Sequence, residues 1–122
     1  MYTYKAKLDR VIDGDTIDVN IDLGFDIQIK KRVRFAGINT PESRTRDLEE
    51  KAKGLAAKDR VKAILADNEI FTLQSEEIGK YGRVLGKIYL GRLDGKDHLT
   101  QVCLNDQLIT EGHAVEYHGG KR

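Results

Sequence analysis

The run from Ile17 to Leu23 constrains this fold more than any other part of the chain. Ile17, Val19, Ile21 and Leu23 alternate with Asp18, Asn20 and Asp22, the period of a strand with one dry face and one wet face. Turn signals bound it on both sides: Asp13-Gly14-Asp15-Thr16 before it and Gly24 to Asp26 after it. Gly tolerates positive φ, and Asp bonds its local backbone. Tyr2 to Ile12 predicts a preceding strand, with Tyr2, Tyr4, Ala6 and Leu8 on one side. Ile27, Ile29, Val33 and Phe35 continue a third, in which Lys31 breaks the alternation and marks a bulge or an edge. Three consecutive strands on short turns predict an antiparallel meander rather than a parallel α/β sheet.

The third strand runs into Ile38-Asn39-Thr40-Pro41-Glu42. Because strand side chains alternate, Arg34 points away from Val33 and Phe35, on the side of Arg32 and Lys30. Pro41 fixes its own φ and pushes Thr40 out of helical geometry, so the strand stops there. Two readings stand for this stretch. One is a solvated strand face followed by a polar turn; the other is a site for a metal ion and a phosphate.

Downstream, Leu48, Ala52, Leu55, Val61, Ile64 and Leu65 recur roughly at helical spacing. Gly54 weakens the middle of this Asp47–Ala66 segment, so the firm helix is expected from about Gly54 to Ala66, closed by Asp67-Asn68. Ile70 to Leu73 and Val84 to Leu90 predict a fourth and a fifth strand. Thr100 to Glu111 predicts a second helix stopped by Gly112, and Ala114 to Tyr117 a brief strand. The element order fits a five-stranded Greek-key barrel of the OB type with about two α-helices, an α+β fold.

At 122 residues the chain suits one domain over 1–122 with one core. No apolar run is long enough to span a membrane, and no apolar segment follows Met1. Two locations therefore remain, the cytoplasm or a processed secreted form. The lone Cys103 forms no internal disulfide and reads as a small buried residue in the second helix. The net charge of +1 is not the footprint of a protein that coats nucleic acid. Charge is segregated locally, however: Lys30, Lys31, Arg32 and Arg34 follow Asp13, Asp15, Asp18 and Asp22. That pattern fits adjacent cation and polyanion sites, or cross-strand charge pairs on a wet sheet face.

Three clusters carry chemistry. In Asp13-Gly14-Asp15-Thr16, carboxylates at i and i+2 share a face and suit a hard cation such as calcium, Asp15 as ligand and Asp13 as neighbour. In the second, Asn39 offers an amide oxygen, Thr40 a carbonyl or hydroxyl, and Glu42 a carboxylate able to position or deprotonate water. Arg34 supplies a bidentate, permanently charged donor. In Gly79-Lys80-Tyr81-Gly82-Arg83, Arg83 offers a second guanidinium for a phosphate, while Lys80 and Tyr81 suit a neighbouring phosphate or base. Each cluster is a weak signal alone: Asp13-Gly14-Asp15-Thr16 and the Arg34–Glu42 stretch, taken singly, favour an ordinary polar turn, and Gly79 to Arg83 also suits a hairpin turn.

Taken together and in order, Val11-Ile12-Asp13-Gly14-Asp15-Thr16, Arg34 with Asn39-Thr40-Pro41-Glu42, and Gly79-Lys80-Tyr81-Gly82-Arg83 resemble the staphylococcal nuclease family. The resemblance covers about Asp9 to Val115. It implies an OB-type barrel and calcium-dependent hydrolysis of DNA and RNA phosphodiesters with low sequence specificity, leaving 3′-phosphate ends. It also implies that Asp15, Asn39 and the Thr40 carbonyl hold one calcium ion, with Asp13 secondary. Glu42 would then act on the attacking water, and Arg34 and Arg83 would clamp the phosphate. Lys80, Tyr81 and, more loosely, Tyr117 match substrate-contacting positions. The expected partner is single-stranded DNA or RNA, with no membrane and a monomeric chain. Asn39 departs from the family pattern, which has aspartate there, so weaker calcium binding is expected. Related nucleases also often continue beyond this chain's last residue into a third helix, so support for the substrate groove there is expected to differ. The rival reading is a catalytically silent OB module binding nucleic acid or a protein; retention of Arg34, Glu42 and Arg83 together argues for the enzyme.

His98, His113 and His118 lack ligand partners at metal spacing. Tyr2, Tyr4 and Tyr89 read as packing residues, and the charges from Glu49 to Arg60 as a solvated face.

Overall fold

The structure is a computed structural model, described here over residues 2–78, 84–90 and 102–117. Strands β1 (Tyr2–Asp13), β2 (Thr16–Asp22) and β3 (Gln28–Phe35) form the expected antiparallel meander. The other edge of β1 pairs with β5 (Ile70–Ile78), which pairs with β6 (Val84–Leu90). β6 returns parallel to β3, with Val33 opposite Val84 and Phe35 opposite Gly86. The sheet thereby closes into a mixed five-stranded barrel, the predicted OB-type α+β fold, and closure removes most of the free strand edge.

Inward positions of the strands fill the barrel. Ile17, Val19, Val33, Phe71, Leu73 and Ile88 have no measurable exposure. Val61, Ile64 and Leu65 from helix α1 (Leu48–Ala66) and Leu104 and Leu108 from helix α2 (Leu104–Thr110) join the same core.

α1 begins well before the expected Gly54. The Asp47 side chain accepts hydrogen bonds from the Glu49 and Glu50 backbone N–H groups, and both glutamates sit where the helix dipole favours negative charge. Its buried stripe is Gly54, Ala57, Val61, Ile64 and Leu65. Leu48 and Leu55, counted toward the apolar face in the sequence, are 80% and 40% exposed.

Two further boundaries shift. β5 extends past Leu73 to Ile78, with a bulge between Ser75 and Glu77. The expected helix over Thr100–Glu111 is divided: Val102–Cys103 form β7, paired with Leu90 and Tyr89, and α2 starts only at Leu104. Cys103 is therefore a half-buried strand residue at the helix N-cap rather than a buried helical one. Its partial burial pushes the thiol pKa up. Lys31 marks no bulge, since β2 and β3 pair without a register shift. It lies on the part of β3 that β6 does not reach, because that parallel pairing begins at Val33.

Gly112, at φ +82°, stops α2 as predicted. The tail then forms β8 (Val115–Glu116), antiparallel to β4 (Ile38–Asn39). This short ladder brings the end of the described chain back beside the Asn39–Glu42 stretch.

Candidate active site

Asp15 occupies the tight connection between β1 and β2, where Asp13 pairs with Thr16. The Asp15 carbonyl accepts from the Phe35 N–H at 2.8 Å, which ties the turn to the end of β3. Gly14 has an ordinary negative φ, so it is not needed for a left-handed backbone. It is needed for space: a Cβ there would sit 2.7 Å from the Ala57 Cβ and 3.1 Å from the Thr40 side chain. The close approach is made by α1, through Ala57.

Gly54 does the same on the other side. A Cβ there would collide with the Glu42 carbonyl and lie 2.7 Å from the Pro41 carbonyl oxygen. The two glycines let α1, the Asp13–Thr16 turn and the Thr40–Glu42 segment pack backbone against backbone. Gly54 looked like a weakness in a helix; in the structure it seats the Pro41–Glu42 loop.

Asp13, Asp15, Thr16, Arg34, Asn39, Thr40, Pro41, Glu42 and Tyr117 line one cleft of about 350 Å³. Seven of the predicted site residues are thus brought together from four segments of chain. Asp15 is 8% exposed. Its Oδ1 accepts from the Thr16 hydroxyl at 3.1 Å and its Oδ2 from the Thr40 N–H at 3.1 Å. Arg34 Nη1 stands 3.0 Å from the same Oδ2 as an ion pair, without a well-aligned hydrogen bond. Arg34 Nη2 donates to the Asn39 Oδ1 at 3.2 Å. Asp13 accepts from the buried Ser43 hydroxyl. Glu42 is exposed. Tyr117 is held at the cleft by its backbone N–H, which donates to the Gly37 carbonyl at 2.8 Å.

Arg83, Lys80 and Tyr81 lie outside the described residues. The strand that follows them, β6, begins opposite Val33, next to Arg34.

As donors, the Asp13 and Asp15 carboxylates, the Asn39 amide oxygen and the Thr40 carbonyl are all hard oxygens. That chemistry fits calcium or magnesium rather than a soft metal. Among the described residues, no three His, Cys, Asp or Glu side chains form a metal cluster, so any cation here would rely on neutral oxygens as well as carboxylates. Arg34 already spans Asp15 and Asn39. The Thr40 hydroxyl is buried with no hydrogen-bond partner among the described residues.

Sequence reading missed Ser43 and Thr16, which orient the two aspartates, and the packing role of Gly54. Only Gly54 carried a signal, a glycine inside a run of good helix formers.

Comparison with known proteins identifies the family of this chain. The family model for staphylococcal nuclease homologues matches residues 32–122. The chain is 32% identical over 116 residues to a micrococcal nuclease of Shigella flexneri, covering 93% of this chain and 59% of that protein. It is 32% identical over 113 residues to a thermonuclease of Staphylococcus hyicus, covering 92% and 57%. It is 30% identical over 121 residues to Endonuclease YhcR of Bacillus subtilis, covering 93% of this chain and 9% of that protein. The chain thus spans less than two thirds of the length of these relatives. The match runs through Arg34, Asn39, Thr40, Glu42 and Tyr117 of the cleft, and this chain belongs to the staphylococcal nuclease family.

Proposed function

We propose that this chain is a calcium-dependent nuclease that hydrolyses phosphodiester bonds of single-stranded DNA or RNA with low sequence specificity, leaving 3′-phosphate ends. The observation that carries this reading is the convergence of Asp15, Arg34, Asn39, Thr40 and Glu42 on one cleft in a member of a nuclease family.

In this scheme Asp15, Asn39 and the Thr40 carbonyl would hold the cation, with Asp13 nearby. Calcium, when bound, supplies a positive charge beside the phosphate oxygens. Glu42, exposed at the rim of the cleft, accepts a proton from a water aimed at phosphorus. A bond forms from that oxygen to phosphorus, the bond from phosphorus to the 5′ oxygen breaks, and the leaving oxygen takes a proton. Arg34 neutralises charge that accumulates on the phosphoryl oxygens, which its planar fork matches in two-point fashion. Arg83 would share that task, Lys80 and Tyr81 would hold a neighbouring phosphate or base, and Tyr117 would contact the nucleotide.

The test is degradation of a single-stranded DNA in calcium, in chelator, and by a Glu42→Ala variant. The wild type in calcium should degrade it. Chelator should abolish the reaction, and the variant should be slower by roughly 10²–10⁴, the usual worth of a positioned general base. Equal degradation in all three arms would sink the mechanism. Binding without degradation in any arm would favour the silent binding module.

A further inference from the structure

One feature of the sequence is not absorbed by the cleft: the basic run that precedes Arg34. Alternation puts Lys30, Arg32 and Arg34 on the same wet face of β3. Their partners across β2 are Asn20, Asp18 and Thr16. β1 extends two of these rows, with Lys7 opposite Asn20 and Arg10 opposite Asp18.

The middle row is built rather than incidental. Asp18 is 8% exposed and accepts from Arg32 Nε at 2.9 Å, Arg32 Nη2 at 3.3 Å and Arg10 Nε at 3.2 Å. The Arg32 hydrogen bond outweighs the opposing effect of burial and, with a smaller contribution from Arg10, holds the Asp18 carboxyl below its ordinary pKa. One ionised carboxylate thus orients two guanidiniums, and one positive charge is left over. Both arginines stay accessible, with side chains 64% (Arg10) and 44% (Arg32) exposed, and both keep N–H donors that Asp18 does not use. In the next row Lys30 is 63% exposed, 3.3 Å from Asp9. Lys7, Arg10, Lys30 and Arg32 therefore stand against Asp9 and Asp18, a positive excess on one face of a chain whose net charge is only +1.

We propose that this stripe is a phosphate track: Arg34 takes the scissile phosphate, the Arg32–Arg10 pair the next one, and Lys30 with Lys7 the one beyond, on a single-stranded nucleic acid. Outward positions of a strand recur every two residues, about 6.6 Å, a step that the extended backbone of a single strand can follow. Cations at such spacing grip the backbone without reading bases, consistent with low sequence specificity. The inference rests on the nuclease reading and adds a binding surface outside its cleft.

The track is tested by fluorescence anisotropy across a salt series, in chelator, with a labelled ten-nucleotide single strand and a dinucleotide. Two proteins are compared with the wild type: Arg10→Gln/Asp18→Asn/Arg32→Gln, which leaves no unpaired buried charge, and Lys30→Gln. Each lost phosphate contact should flatten the slope of log K against log salt by about 0.7 and weaken binding of the ten-mer roughly threefold. Dinucleotide binding, and dinucleotide turnover in calcium, should be unchanged in both variants. An unchanged slope and affinity for the ten-mer in a wild type and variants that still cleave would overturn the track alone. A wild type that neither binds nor cleaves the ten-mer would overturn the nuclease reading and the track together. Lys30 is a surface residue, so its variant decides the matter if the triple variant fails to fold.

Discussion

Arg34 is the residue on which the cleft turns. Its two terminal nitrogens reach Asp15 and Asn39, so one guanidinium spans the oxygens proposed for the cation and would itself be the charge proposed for the phosphate. Asn39 keeps an oxygen in that contact and removes a negative charge that aspartate would bring. Behind these polar groups the positions are set by the smallest side chains. Gly54 faces the carbonyls of Pro41 and Glu42 with no room for a methyl group. Gly54→Ala should therefore run against helix propensity, which favours alanine by about 1 kcal/mol. Overpacking should instead destabilise the protein by roughly 1–3 kcal/mol and displace Glu42, lowering turnover beyond the loss of folded protein. Urea denaturation read alongside cleavage of the folded fraction measures both effects. A variant as stable and active as the wild type would show that the loop yields freely.

At the scale of elements, the two helices are clasped by an exposed charge pair. Arg60 of α1 donates through Nε to Glu111 Oε1 at 2.5 Å and through Nη2 to Oε2 at 3.1 Å, and Gln107 adds a bond at 2.7 Å. Arg60 first, then Gln107, holds the Glu111 carboxyl down at about 2, against an ordinary value of 4.5. A carboxylate depressed in the folded state binds fewer protons there than in the unfolded chain. Its stabilisation is thus fully present above about 4.5 and drains away as pH falls toward 2. Glu111→Gln should be less stable than the wild type at neutral pH, by a small margin since the pair is exposed. That gap should narrow between pH 4.5 and 2. Chemical denaturation at a series of pH values checks it, and a gap independent of pH would mean that the charge is not what the pair contributes.

For the whole molecule, the closing seam of the barrel matters most. Asn105, 1% exposed at the start of α2, donates to the carbonyls of Ala36 at 2.8 Å and Gly86 at 3.2 Å, and accepts from the Ile88 N–H at 3.2 Å. It thereby ties the end of β3, the strand β6 that closes against it, and α2. Asn105→Ala should cost on the order of 3 kcal/mol, because it strands buried backbone groups without partners. The site should loosen with it, since Phe35 at the seam also holds the Asp15 carbonyl. A thermal melt within a degree or two of the wild type would refute that account.

Much of this protein follows from local sequence. Strict alternation from Ile17 to Leu23 and turn residues on either side determine the meander, since a slip of one residue would turn the apolar set toward water. Gly112 ends α2, and Asp15, Arg34 and Glu42 stand out as candidates by type and order. β3, however, ends at Phe35, ahead of the positive-φ turn at Gly37 and not at Pro41. What local sequence leaves open is everything decided by a distant neighbour. Leu48 and Leu55 are helical and apolar yet exposed, because only one stripe of α1 meets the barrel. Val102–Cys103 become strand because β6 offers an edge. Gly14 and Gly54 are required by the passage of a helix, Ser43 reaches across 30 residues to Asp13, and Asp18 becomes the anchor of two arginines only when three strands lie side by side. Alternation and turn chemistry act over a few residues and can be read from the chain. The clearances that seat Glu42 beneath α1 arise between segments far apart in sequence, and they exist only once the barrel has closed.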